Sequence, residues 1–192
     1  MFRLPLRRRR HGREKGAALL ICINPGHDRK RDSGAVNERL RLRECDAAYE
    51  LGLAVTAALA HRQVRVALRQ DNDLAALCKE ANAMGADLFV SLHFNAFDGT
   101  ASGTETFCSG SAGSTAAAVA VQRRLCRVLQ LPDRGVKRRP DLYVLSRTIM
   151  PAILVEVCFL DNDGDMARYA ACRADVAAAV AAAVTVPCLP GV

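Results

Sequence analysis

Leu88-Phe89-Val90-Ser91-Leu92-His93 decides how this chain is read, because it is a short apolar strand that closes on an imidazole. A run this brief, apolar at nearly every position, suits a strand covered on both faces. Two runs of the same kind lie far from it in sequence. They are Ile21-Cys22-Ile23-Asn24-Pro25-Gly26-His27 and Ile153-Leu154-Val155-Glu156-Val157-Cys158-Phe159. Burying an imidazole or carboxylate without a partner costs roughly several kcal/mol, so three such cases are expected to converge on one place.

Working outward, apolar strands alternate with segments of helical period along the whole length. Residues 17–24, Val64–Leu68, Asp87–His93, Thr104–Cys108, Leu142–Leu145 and Ala152–Phe159 are expected as strands. Helices are expected at 44–61, with Tyr49, Leu51, Val55 and Leu59 available for one face, and at Leu74–Met84, 115–130 and 165–184. Such alternation predicts a single α/β domain over 17–186, with a mostly parallel twisted sheet and helices on both faces. Ligands bind such sheets at the carboxyl ends of the strands, which is where His27 and His93 fall.

The bulk composition agrees with one globular domain: 192 residues, 51% hydrophobic and 24% charged. No apolar run approaches the roughly 18 residues of a membrane helix, so no membrane span is expected. The net charge of +7 is concentrated at one end. Residues 1–16 hold six Arg and one Lys against one Glu, which is +6 and leaves +1 for the rest. That tail is expected to be solvated and disordered, the alternative being a tether to an anionic polymer such as nucleic acid or teichoic acid. A basic groove is excluded, and the chain is expected to be a monomer with no nucleic-acid partner. Apolar residues follow Arg7–Arg10 without a small-residue cleavage pattern and run straight into Asn24-Pro25-Gly26-His27, so they are read as a first strand and not as a signal peptide. Residues 187–192 are read as a loose end. The eight Cys form no C-x-x-C pair and sit in apolar or helical patterns. A thiolate metal site and a disulfide framework are therefore not expected, and a reducing compartment of synthesis is.

The chemistry-bearing residues can then be weighed. Asn24-Pro25-Gly26 stops the first strand and exposes His27; alone, that His would be an ordinary loop residue. His93 at a second strand end changes the reading, because two imidazoles at matching ends can meet across a sheet and bind a metal. Glu44 opens a helix, where the helix dipole favours a carboxylate, and spacing alone does not lift it above that structural role. Glu156 is sharper. It shares one strand face with Leu154 and Cys158, with Val155 and Val157 opposite, so both faces are expected to be buried. A carboxylate there needs a cationic partner, such as a structural Arg, or a water beside a metal, which is the arrangement of a general acid–base.

Ile23–His27, Asp32-Ser33-Gly34-Ala35, Glu44, Ala86–Ala96, Ser102-Gly103-Thr104-Glu105-Thr106 and Met150–Leu160 together resemble the zinc-dependent N-acetylmuramoyl-L-alanine amidases of the amidase-3 type, the catalytic domain of bacterial autolysins and phage endolysins. Each motif is weak by itself; their order and spacing from about 18 to 184 are specific. The resemblance implies that His27, Glu44 and His93 bind one Zn²⁺, adding Glu44 over its neighbour Glu38, and that Glu156 is the catalytic carboxylate. It implies hydrolysis of the amide between N-acetylmuramic acid and L-alanine of the peptidoglycan stem peptide, with Glu156 taking a proton from a zinc-activated water and delivering it to the leaving amine. Asn95 is expected to touch substrate or brace a ligand, and Glu105 to have a structural role.

The chain departs from the family pattern at Asp28-Arg29, where two glycines are usual, at Leu77, where an Arg is common, and at Cys158, in place of a frequent Gly. Asp28 is expected to orient the site or alter substrate access. The septal-division members carry a long insertion with a blocking helix after the strand matching Thr104–Cys108; here only Ser109–Ser114 stands at that point, which predicts an open site. The competing readings are another zinc metallohydrolase, such as a carboxypeptidase, and a catalytically silent wall-binding module. Cytoplasmic synthesis without a recognisable leader and action on the cell wall after assisted release complete the expectation.

Overall fold

The computed structural model describes residues 18–60, 62 and 64–185. In chain order its elements are β1 (Leu20–Pro25), β2 (Val36–Asn37), β3 (Leu42–Arg43), α1 (Glu44–Ala60), β4 (Arg65–Leu68), α2 (Leu74–Ala83), β5 (Leu88–Asn95), β6 (Thr104–Cys108), α3 (Ala112–Leu129), β7 (Asp133–Arg138), α4 (Tyr143–Arg147), β8 (Ala152–Phe159) and α5 (Asp163–Thr185). The basic stretch 1–16 and the closing residues 187–192 lie outside the described residues.

Six strands form one sheet in the order β4-β1-β5-β8-β6-β7. β4, β1, β5 and β8 are mutually parallel, the arrangement that helical crossovers require. β6 runs antiparallel to β8, and β7 pairs parallel with β6. The sheet is therefore mixed, with its parallel part on the side that carries β1 and β5. β2 and β3 form a separate two-stranded antiparallel pair.

The sheet's two faces are covered unequally, and this positions the site. Ile21, Ile23, Leu88, Val90, Leu92, Phe94, Val155 and Val157 enter a cluster closed by residues of α1, α3 and α5. Those helices are 17, 18 and 23 residues long. Leu20, Cys22, Phe89, Ala152 and Leu154 enter the opposite cluster, closed by Leu77, Cys78 and Ala81 of α2 and by Val144 and Leu145 of α4. These two helices have only 10 and 5 residues. Each fully buried large side chain, Phe89 or Ile153 for example, contributes about 1.5–3 kcal/mol over its exposed state. Because side chains alternate along a strand, Ser91, His93 and Glu156 belong to the thinly covered face.

Three expectations need correction. Leu142–Leu145 is not a strand: Tyr143–Arg147 makes a short helix that buries Val144 and Leu145. The sixth strand is instead Asp133–Arg138, a charged edge strand. Tyr49 lies off the buried face of α1, which uses Ala48, Leu51, Gly52, Val55 and Leu59; its ring instead carries the Arg29 guanidinium at 4.5 Å. Cys158 does not share a face with Glu156. A register shift between β5 and β8 after His93 inserts an extra residue in β8, and Cys158 turns to the first cluster, with its Sγ 3.9 Å from Met166 Sδ. Leu77, in contrast, is buried in the second cluster, where an apolar side chain belongs.

Candidate metal centre

Glu44 is the hub of the site. It starts α1, and its backbone N–H is tied to Ala35 O at 2.9 Å, which fixes where the helix begins. Its carboxylate reaches inward and is buried. Oε1 accepts from the Phe94 backbone N–H at 3.1 Å and lies 2.9 Å from His93 Nδ1. Oε2 accepts from the Ala35 N–H at 2.9 Å and lies 3.1 Å from His27 Nε2. One carboxylate thus gathers two imidazoles from β5 and from the loop after β1.

The loop after β1 is built to present His27. Gly26 lets the chain pass the His93 ring, since a Cβ there would run into it. Gly34, at φ 66, is needed for the same reason: a Cβ would stand 2.5 Å from Glu44 Oε2. His27 itself has φ 59, a left-handed conformation that costs an ordinary residue about 1–2 kcal/mol. Asp32 stabilises it there: its Oδ2 accepts from His27 Nδ1 at 2.8 Å, which fixes the ring with Nε2 turned towards Glu44. Gln70 Nε2 braces the same corner by donating to Gly26 O at 3.2 Å and Cys45 O at 2.8 Å.

Electrostatics match this geometry. The hydrogen bond to Glu44 is the main cause that raises His27 to about 9, against the opposing effect of burial, with Asp32 adding to it. Burial pushes the Glu44 carboxyl up, but hydrogen bonds from His27 and His93 outweigh it and hold the group well below the usual carboxylate range. Asp32 is likewise lowered, first by its hydrogen bond from His27. The ligand atoms of His27, Glu44 and His93 all lie within 4.8 Å of one another, and among the described residues this is the group of three such side chains able to hold a metal ion. Two imidazole nitrogens and a carboxylate oxygen form a donor set suited to a first-row divalent ion.

Glu156 stands beside this group. It pairs with His93 across the β5–β8 ladder and with Glu105 across β8–β6. Its Oε2 is buried and has no hydrogen-bond partner among the described residues. Burial raises its pKa to about 7; the neighbouring His93 ring opposes this, and Glu44 and Glu105 reinforce it. Among the described residues no Arg pairs with that oxygen, as a structural ion pair would need. His27, His93, Asn95, Glu105 and Glu156 line one cleft of about 540 Å³.

The structure thus brings together His27, His93 and Glu156, to which the residues themselves point, and Glu44, which the family resemblance adds. Asn95 also reaches the cleft, where its Nδ2 donates to Glu105 Oε1 at 2.6 Å, so it braces a neighbouring carboxylate. Asp28 does not orient the centre: its Oδ1 accepts the Lys30 and Arg31 N–H groups at 2.7 and 2.6 Å and closes its own turn. Asp32 does that work instead; in the sequence it stands in the Asp32-Ser33-Gly34-Ala35 motif of the resemblance, with nothing there to give its side chain a role. β6 passes into α3 through Ser109–Ser111 alone, so no inserted helix stands at this point.

An α/β fold whose strand ends and first helix offer a His–Glu–His set, next to a carboxylate whose buried oxygen has no partner among the described residues, has the framework of a metal-dependent hydrolase. The chain belongs to the amidase-3 family of N-acetylmuramoyl-L-alanine amidases, whose match runs over residues 21–186. It is 38% identical over 152 residues to the uncharacterised protein YqiI of Bacillus subtilis, covering 76% of this chain and 72% of that one. It is 36% identical over 161 residues to the endolysin of Bacillus phage SPP1, covering 77% of this chain and 57% of the endolysin. Among solved structures it is similar to the catalytic domain of CwlV, an N-acetylmuramoyl-L-alanine amidase from Bacillus (Paenibacillus) polymyxa. There the TM-score is 0.79 at 30% identity, with 87% of this chain and 96% of that chain covered. Cwp6 from Clostridium difficile gives a TM-score of 0.82 at 28% identity, over 89% of this chain and 29% of Cwp6. The chain thus spans little more than half of the endolysin. No helix among the described residues is long and apolar enough to cross a membrane.

Proposed function

We propose that this chain hydrolyses the amide joining the lactyl group of N-acetylmuramic acid to the L-alanine of the stem peptide in peptidoglycan. The observation that carries this reading is Glu156: a buried carboxylate oxygen without a partner among the described residues, one strand away from His93 in a cleft that His27 and His93 also line. Asp161 Oδ1 is also buried and unpaired among the described residues but lies outside that cleft; within the cleft a proton carrier needs its oxygen free. His27, Glu44 and His93 would hold the ion, and Zn²⁺ is our assignment because neutral imidazole and carboxylate suit it and leave an open position. A divalent ion held there supplies Lewis-acid polarisation of the amide carbonyl and acidifies a water towards about pH 7.

The rest is done by the chain's own groups. Glu156 Oε2 takes a proton from the attacking water and later returns it to the leaving nitrogen of L-alanine. A carboxyl that ionises near pH 7 is well matched to both steps. Asp32 keeps the His27 ring oriented so that Nε2 remains the ligand atom. Digestion of purified sacculi tests the reading. Release of stem peptides with a free L-alanine amine, abolished by a chelator and restored by Zn²⁺, is the expected result. Products with a new carboxyl end inside the peptide would favour a carboxypeptidase, and no release would favour a silent wall-binding module.

A further inference from the structure

We propose that β7 and the turn after it read a free carboxylate on the stem peptide, so that substrate choice is set by Lys137 and Arg139. This inference rests on the amidase reading above and concerns the far wall of the same cleft. Lys137, Arg139, Phe107 and Leu142 line the cleft that also holds His27, His93 and Glu156. The far wall therefore combines two cations with an apolar floor.

Ladder positions give the distance. Phe107 of β6 lies opposite both Leu154 of β8 and Lys137 of β7, while Glu156 lies opposite Glu105. The Lys137 backbone is thus two strands from β8, about 10 Å away at the spacing of neighbouring strands, while its Nζ reaches back to Glu105, one strand from Glu156. An extended peptide advances about 3.3–3.6 Å per residue, so a ligand group on this wall sits about one to three residues from the amide next to Glu156. On the two sides of that amide, only the peptide carries carboxylates; the sugar backbone offers hydroxyl and acetamido groups. A cationic wall therefore fits the peptide side.

Both cations are held by carboxylates, Lys137 by the cleft-lining Glu105 and Arg139 by Asp141, and keep donors for a ligand. Lys137 Nζ is paired with the buried Glu105, whose other oxygen accepts from Asn95. An ammonium has three donors, and this side chain is 48% exposed. Arg139 is clamped by Asp141, through Nε at 2.9 Å and an Nη at 2.7 Å, with its guanidinium 5.5 Å from the Phe107 ring centre. A guanidinium has five donors, so the remaining ones can face the cleft. Positioning of this kind lowers the entropic cost of gripping an anion.

The test uses the full chain and two synthetic muramyl peptides that differ at one group: a free carboxylate or its carboxamide on the second or third residue. Wild type is expected to favour the acid by about tenfold in kcat/KM, carried mainly by KM, the order of one charge-assisted hydrogen bond. In Arg139→Gln the acid-to-amide ratio should fall towards one. Its partner Asp141 is exposed, so the fold does not depend on that pair. Lys137→Gln should lower the ratio in the same way. A wild-type ratio near one, or a ratio that both variants keep, overturns the inference while the amidase reading stands. Cleavage of neither peptide by wild type overturns both.

Discussion

Glu156→Gln should make the metal-free protein more stable in neutral and alkaline solution while it removes activity. The Glu156 carboxyl ionises near 4.5 when solvated and near 7 in the fold, because burial penalises its charged form. The sign follows directly. Between these two values the unfolded chain has released the proton and the folded chain still holds it, so stability falls as pH rises. At 1.36 kcal/mol per pH unit, the full cost reaches about 3 kcal/mol above pH 7. Glutamine keeps the shape and cannot ionise. Between pH 5 and pH 8 the variant should therefore gain about 2–3 kcal/mol on wild type, or roughly 5–10 °C in Tm for a domain of this size. Urea and thermal melts of chelator-treated protein at both pH values measure it, and the comparison across pH cancels any constant effect of the substitution. Curves for the two proteins that stay parallel from pH 5 to pH 8 would refute the reasoning, because Glu156 would then not be a buried, uncompensated carboxyl.

Three further outcomes follow from the same site. Asp32→Asn should weaken metal binding by about 10–100-fold, as the loss of a group that orients a ligand does, with little change in Tm of the metal-free protein; competition with a chromophoric chelator measures it. Gly26→Ala should abolish metal binding without unfolding the sheet, because the added methyl enters the space of the His93 ring; circular dichroism together with metal content separates the two effects. His27 is raised to about 9 in the metal-free site, so binding must displace its proton at lower pH. Affinity should then climb about tenfold per pH unit up to pH 9, and a flat titration from pH 6.5 to 9 would sink the idea.

Much of this arrangement was legible from residues because the parallel core strands are apolar on both parities, so a His or Glu within them stands out. β5 and β8 carry His93 and Glu156, and the loop that ends β1 carries His27. β7 was not legible: as an edge strand it is largely exposed, carries four charged residues in six, and includes Gly135 at φ 84 beside a register shift. Nothing in Asp133–Arg138 alternates, and the apolar Leu142–Leu145 competed for the strand assignment, a confusion that short apolar runs invite. The turn of Cys158 away from Glu156 was hidden too, since a bulge is a property of the pairing and not of one strand. Glu44 needed the family resemblance, because a first-turn Glu is ordinary until two imidazoles are found around it. Asp32 needed the folded loop, because only φ 59 at His27 brings the two side chains together.

The division of labour between Glu156 and the His–Glu–His group is tested most directly by measuring bound zinc and muropeptide release together in wild type, Glu156→Gln and His93→Ala. The expected result is about one zinc per chain with activity in wild type, the same zinc with no turnover in Glu156→Gln, and neither in His93→Ala. Loss of zinc from Glu156→Gln, or turnover that survives it, would contradict the role given to that buried carboxylate.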